Sequence, residues 1–266
     1  MDGRIKLAAE MAKEAGKILL SFQQKLHGYI LKGPVDIVSE ADKASEAYII
    51  EQIRKVYPFD GLIAEETAKV EEGTSGYKWI IDPLDGTTNF VHGHPHFCVS
   101  IGLMHEGVPI GGVVYAPFYD ELFTGQVDQG AFLNGRPIQV STTKTLSRSL
   151  VASGFPYERE GVLPAILAKI QRLLLSAQGF RRAGSAALDL CYVACGRLDA
   201  YWEGTIHIWD VAAGIVILSQ AGGKISGYDG MDYQPFGLAN QRIVSSNGRI
   251  HQQLLDTLFP VDEDLK

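Results

Sequence analysis

The segment Trp79-Ile80-Ile81-Asp82-Pro83-Leu84-Asp85-Gly86-Thr87-Thr88-Asn89 constrains this 266-residue chain more than any other. Its apolar run predicts a strand. The run nevertheless ends in two carboxylates three residues apart, with Pro83 fixing the backbone between them and Gly86 permitting a tight turn or the close approach of a ligand. Two acids held that close repel each other, and one takes up a proton unless a cation is shared between them. With oxygens as the donors and no partnering histidine or thiol, the expected cation is Mg²⁺. The rival reading is a surface turn, because Asp, Pro and Gly are all good turn formers.

Apolar residues at Ile5, Ala8, Ala12, Ala15, Leu19, Phe22 and Leu26 recur by three and four and predict an opening helix that covers a core. A second helix is expected over residues 43–56, with Asp42 as its N-cap and Pro58 just beyond its end. Strands are predicted at 61–64, 77–81, 97–105, 108–115, 121–125 and, after the Asn134-Gly135 turn, 136–140. Then come a strand at 150–153, helices at 163–176 and 186–195, a strand at 199–203 and a helix at 210–220. Strands at 224–228 and 242–245 and a closing helix at 250–258 complete the pattern. Helices mixed with strands on several layers imply an α/β or α+β sandwich. It forms one unit over 1–266 or two packed halves, 1–145 and 146–266, with any boundary near 141–149.

Composition removes several classes of function. Lys plus Arg is 24 against 31 Asp plus Glu, a net charge of −7, which does not suit a protein that binds nucleic acid by neutralising phosphates. The longest stretch free of charged residues, 86–105, contains Asn89, four histidines and Pro95, so no membrane span is expected. Charges crowd the first residues, unlike a signal or transit peptide. Cys98, Cys191 and Cys195 form no CxxC pair, which points to a reducing cytoplasm.

Further acids stand where apolar runs meet turns or helix starts: Asp36 and Asp42, Glu65 and Glu66 after Leu62-Ile63-Ala64, and Asp210 after Ile206-His207-Ile208-Trp209. Sheet ends and helix starts are where α/β proteins assemble sites. In these segments, in Trp79 to Phe90, in Glu203 through Trp209-Asp210-Val211-Ala212-Ala213-Gly214, and in Gly184-Ser185-Ala186-Ala187, the chain resembles the inositol monophosphatase family, its bacterial members most. The resemblance spans residues 32–223 and is more specific to the metal chemistry than to a substrate.

The resemblance implies a layered αβαβα sandwich of the sugar phosphatase type, a homodimer, and Mg²⁺-dependent, lithium-sensitive hydrolysis of a small polyol phosphomonoester, with inositol 1-phosphate the best single substrate. Glu65, Asp82 and the carbonyl of Leu84 would hold one ion, and Asp82, Asp85 and Asp210 a second. A third would lean on Glu65. Four carboxylates and a phosphate dianion need two or three divalent ions to approach neutrality. Thr87, backed by Asp42, would orient an activated water, with no phospho-enzyme. Gly86 and Thr87 would receive the phosphate, while Asp85, Glu203, Asp210 and the backbone of Gly184, Ser185 and Ala186 would meet the alcohol. Fructose 1,6-bisphosphate, a nucleoside 3',5'-bisphosphate or histidinol phosphate remain alternative substrates, and association with transcription proteins an alternative role.

Other residues invite rival readings. His92, His94 and His96 alternate and could hold zinc, but Gly93 and Pro95 break a regular strand there. Aromatic residues are common in the family where His94 and His96 stand. Cys191 and Cys195 share a helix face and read as packing residues. Lys32 could approach the phosphate, and Glu66 reads as a supporting or surface acid. Arg181 and Arg182 could grip a second phosphate, though a structural or interfacial role is expected of the pair.

Overall fold

Ile5, Ala8, Ala12, Ala15 and Leu19 form one buried stripe along α1 (Gly3–Leu26), as their spacing demands. The computed structural model describes residues 2–26, 35–67, 69–156, 160–231, 233 and 241–260; Lys32 and the side chain of Asp36 lie outside them. α2 (Val35–Val56) packs beside α1 and begins well before residue 43, so Asp42 is not an N-cap but an acid inside the helix. The reason is visible in the burial. Ala41, Ser45, Ile49 and Ile53 repeat every fourth residue and are fully buried, so the stripe that holds the helix down starts before Lys43.

These helices cover an eight-stranded sheet. Its strands are β1 (Gly61–Ala64), β2 (Lys69–Glu71), β3 (Tyr77–Asp85), β4 (Cys98–His105), β5 (Val108–Ala116), β6 (Glu121–Gln126), β7 (Gly130–Leu133) and β8 (Arg136–Pro137), in the order β2-β1-β3-β4-β5-β6-β7-β8. Only the β1–β3 pair among them is parallel. β3 continues through both acids. Asp82 pairs with Ser100 and Asp85 with Cys98, with a bulge between, and the short helix α3 (Thr87–Val91) follows at once. A surface turn is thereby excluded for the Asp82 to Asp85 segment, which lies buried within the sheet.

After β8 the chain passes through a 3-10 turn at Leu146–Arg148 and enters a second sheet. That sheet comprises β9 (Leu150–Ser153), β10 (Gly179–Arg181), β11 (Ala200–Ile206), β12 (Lys224–Ser226) and β13 (Gln241–Ser246), ordered β10-β9-β11-β13-β12. Between the sheets lie α5 (Ala186–Ala194) and α6 (Ile208–Gln220), and outside the second sheet lie α4 (Leu163–Ser176) and α7 (His251–Leu258). The result is an αβαβα sandwich with one core beneath α1 and α2, one between the sheets and one beneath α4 and α7. α6 is almost wholly apolar because both of its faces are covered. It lies so close to the first sheet that a Cβ on Gly112 of β5 would stand 2.4 Å from the carbonyl oxygen of Ala213.

β2, β7 and β10 were not expected, and the strand expected over 136–140 shrinks to two residues. All are short edge or near-edge pieces whose pairing comes from neighbours rather than from an apolar run of their own. Among the described residues, no helix is long and apolar enough to cross a membrane.

Candidate active site

A cavity of about 340 Å³ opens where the end of the first sheet faces the second half of the chain. Glu65, just past β1, Asp82 and Asp85 from the bulged end of β3, Glu203 from β11 and Asp210 from the first turn of α6 all line it. Leu84, Gly86, Thr87, Gly184, Ser185 and Ala186 complete much of the wall. Among the described residues, Asp42 and Glu66 are not part of this wall; Asp42 lies buried in α2, close enough to Glu65 and Glu66 to feel their charge.

Hydrogen bonds fix the acids from behind. Asp85 Oδ2 accepts from Ser185 Oγ at 2.6 Å and from the backbone N–H of Ala187 at 2.7 Å, which ties β3 to the start of α5. Asp210 Oδ2 accepts from the N–H of His207 at 2.7 Å and so caps its own helix. Asp82 Oδ1 accepts from the N–H of Leu84 at 3.0 Å, and Glu203 accepts from the hydroxyl of Tyr201. Thr87 Oγ1 donates to the carbonyl of Leu84 at 3.1 Å, so the expected pairing with Asp42 is not made in this structure. Gly86 turns with φ +96°, and a Cβ there would stand 2.9 Å from the carbonyl oxygen of His96. Only glycine serves at that corner.

The electrostatics are those of uncompensated negative charge. Burial pushes Asp82 well above the usual carboxylate range, and the charges of Glu65, Asp85 and Asp210 push it further. Burial and Asp85 likewise hold Asp210 well up. Glu65 is raised by burial and lies close enough to Asp82 to share a proton with it. Asp85 is raised less far, because Ser185 and Ala187 stabilise its charged form. Burial lifts Glu203 to about 7, and burial with Glu66, Glu65 and Glu46 lifts Asp42 to about 8. Among the described residues, no three His, Cys, Asp or Glu side chains are drawn in around one point. The acids instead stand around an open volume and offer it carboxylate oxygens, with Leu84 in the same wall, which fits a hard divalent ion.

Four residues contribute beyond the site assignments made from the sequence. Glu46, buried in α2, accepts from the N–H groups of Glu66 at 2.8 Å and Thr67 at 3.0 Å, anchoring the turn that carries Glu65. Asp189 lines the cavity with Oδ1 lying 3.5 Å from His96 Nε2. Arg182, expected to be structural, also lines the cavity, draws down the pKa of Glu203 and lies 5.4 Å from the ring of Phe155; Arg181 is exposed and points its guanidinium at the Phe180 carbonyl. The fourth is Thr205. Acidic residues in mid-helix and lone polar residues on strands carry no local signal of this kind. His92 and His94 are exposed while His96 is buried, so the three share no metal-binding face. All three cysteines are free.

A model described as the inositol monophosphatase family matches residues 1–260. The chain is 46% identical over 255 residues to the inositol-1-monophosphatase of Synechocystis sp., covering 96% of this chain and 88% of that protein. It is 40% identical over 263 residues to the Nus factor SuhB of Haemophilus influenzae, covering 98% and 97%. Among solved structures, an inositol monophosphatase from Anabaena (Nostoc) sp. matches with a TM-score of 0.84 at 46% identity, covering 96% of this chain and 94% of that one.

Proposed function

The chain belongs to the inositol monophosphatase family and is a phosphomonoesterase of that kind, and from this premise we propose that it hydrolyses inositol 1-phosphate to inositol and phosphate with Mg²⁺. The observation that carries this reading is the convergence of Glu65, Asp82, Asp85 and Asp210, from three separate places in the chain, on one cavity that also holds Glu203. Glu65, Asp82 and the Leu84 carbonyl would hold one ion, Asp82, Asp85 and Asp210 a second, and Glu65 a third. When bound, Mg²⁺ supplies the charge neutralisation and Lewis acidity that hydrolysis by water requires.

The protein's own groups do the rest. Gly86 and Thr87, at the corner between β3 and α3, direct backbone donors at the phosphate. The Thr87 hydroxyl orients the attacking water and Glu65, in the cavity wall, supplies a carboxylate to take its proton, while Asp42, outside that wall, acts on it through its charge on Glu65. Because the water attacks directly, no side chain becomes phosphorylated. Glu203, Asp210 and Asp85 accept from hydroxyls of the alcohol, and the backbone from Gly184 to Ala186 donates to it. We further assign lithium inhibition, homodimer formation and a cytoplasmic setting to the chain, the last in keeping with its three free cysteines.

Arg182 in the cavity wall favours one second reading, a fructose 1,6-bisphosphate substrate whose second phosphate it would grip. Similarity to a Nus factor supports an additional partner in transcription. Substrate choice is tested by assaying wild type, Glu203→Ala and Arg182→Ala on inositol 1-phosphate, fructose 1,6-bisphosphate, a nucleoside 3',5'-bisphosphate and p-nitrophenyl phosphate. The inositol reading expects Glu203→Ala to lose about ten- to a hundredfold in kcat/KM on inositol 1-phosphate and far less on p-nitrophenyl phosphate. Equal losses on all four substrates would remove it.

A further inference from the structure

Among the described residues, five that are not glycine adopt a left-handed backbone. Glu106, Asp120, Asp128 and Asn134 do so in the hairpins of the first sheet, where such backbone is ordinary. Thr205, with φ +64°, is different: it is β-branched, which makes this conformation costly, and it lies within a strand.

The fold requires an extra residue there. Tyr201 and Ile206 both enter the core between the sheets, yet five residues apart on a regular strand they would face opposite sides. The bulge resolves this: Gly204 pairs with Arg242 and Ile206 with Gln241, leaving Thr205 unpaired. A bulge explains the left-handed residue but not the threonine, since glycine would adopt it without strain. Thr205 is exposed, and it lines the cavity together with its neighbours Glu203 and His207.

We propose that Thr205 is a specificity-determining residue, presented by the bulge so that its hydroxyl bonds the same substrate hydroxyl that Glu203 accepts. This rests on the phosphomonoesterase reading of the cavity. Glu203 and Asp210 serve the alcohol as acceptors, and Arg182 only donates. A substrate hydroxyl that donates to Glu203 still offers its lone pairs, and Thr205 supplies a neutral donor for them. The class of substrate selected is a phosphate ester whose alcohol carries neighbouring hydroxyls.

The test compares wild type, Thr205→Val, Thr205→Ser and Thr205→Gly with Mg²⁺ on inositol 1-phosphate and p-nitrophenyl phosphate. Thr205→Val keeps the branching and removes the hydroxyl. The ratio of kcat/KM between the two esters should fall about three- to tenfold in Thr205→Val and Thr205→Gly, mainly through KM on the inositol ester, and Thr205→Ser should restore most of it. Thr205→Gly should also melt a few degrees higher, as relief of backbone strain predicts. An unchanged ratio in Thr205→Val, or equal losses on both esters, overturns the proposal while leaving the phosphatase reading intact. A wild-type chain that hydrolyses neither ester overturns both.

Discussion

Replacing Asp82 with asparagine should separate stability from function in opposite directions. Asp82 is fully buried and held far above its ordinary pKa by burial and by Glu65, Asp85 and Asp210. Asparagine keeps an oxygen to accept the N–H of Leu84, which Asp82 accepts at 3.0 Å, and it removes the charge. Relief of that buried, uncompensated charge should stabilise the metal-free fold by about 1–3 kcal/mol, the usual size of a single-substitution effect. For a chain of this size that is a rise of about 3–10 °C in melting temperature. Mg²⁺ reverses the order. Wild type should gain about 2.7 kcal/mol at a hundredfold excess over Kd, whereas Asp82→Asn, lacking the ligand shared by both ions, should gain little and lose at least about a thousandfold in turnover. The assay is thermal unfolding in EDTA and in graded Mg²⁺, paired with phosphate release. An Asp82→Asn chain that melts below wild type in EDTA, or gains as much from Mg²⁺, would refute the reasoning.

Two further outcomes follow from the packing. Ser185→Ala removes the 2.6 Å bond to Asp85 and leaves the N–H of Ala187, with the longer contact from the Cys98 thiol at 3.8 Å, to hold its charged form, so kcat/KM should fall about ten- to a hundredfold, measured at saturating Mg²⁺. His251 is buried with Nε2 and Nδ1 each 2.9 Å from a serine hydroxyl, of Ser226 and Ser246, and burial lowers its pKa to about 4. Between about pH 6.5 and 4 the unfolded chain therefore binds the proton that the folded chain refuses, so stability is lost as pH falls through that window. Denaturant unfolding should show wild type losing about 2 kcal/mol more than His251→Gln on going from pH 7 to pH 4, solvent screening having been allowed for. A difference that does not change with pH would contradict it.

The legible parts of the fold and site share a physical cause. Glu65, Asp82 and Asp210 each follow an apolar run that tertiary packing must bury, so their positions at element ends can be read locally. The acid cluster and the layers around it were accordingly visible. Asp42 was misread as a cap because an acid before an apolar helix has the same local signature whether it ends the helix or lies buried within it. Glu46 looks like any helical surface acid; its role exists only because the turn at Glu66 and Thr67 comes to it. The His96 and Asp189 contact joins residues far apart in sequence, and Thr205 is singled out only by a register that neighbouring strands impose. Such features belong to tertiary context, which a local pattern does not carry.

The central claim is that these buried acids form a Mg²⁺-dependent centre for phosphate ester hydrolysis. Release of inorganic phosphate from inositol 1-phosphate by the purified chain, followed as Mg²⁺ is titrated in after EDTA treatment, tests it most directly. No release is expected in EDTA, then a saturable rise with Mg²⁺, and loss of that rise in Asp82→Asn. Undiminished release in EDTA, or no release at any Mg²⁺ concentration, would contradict it.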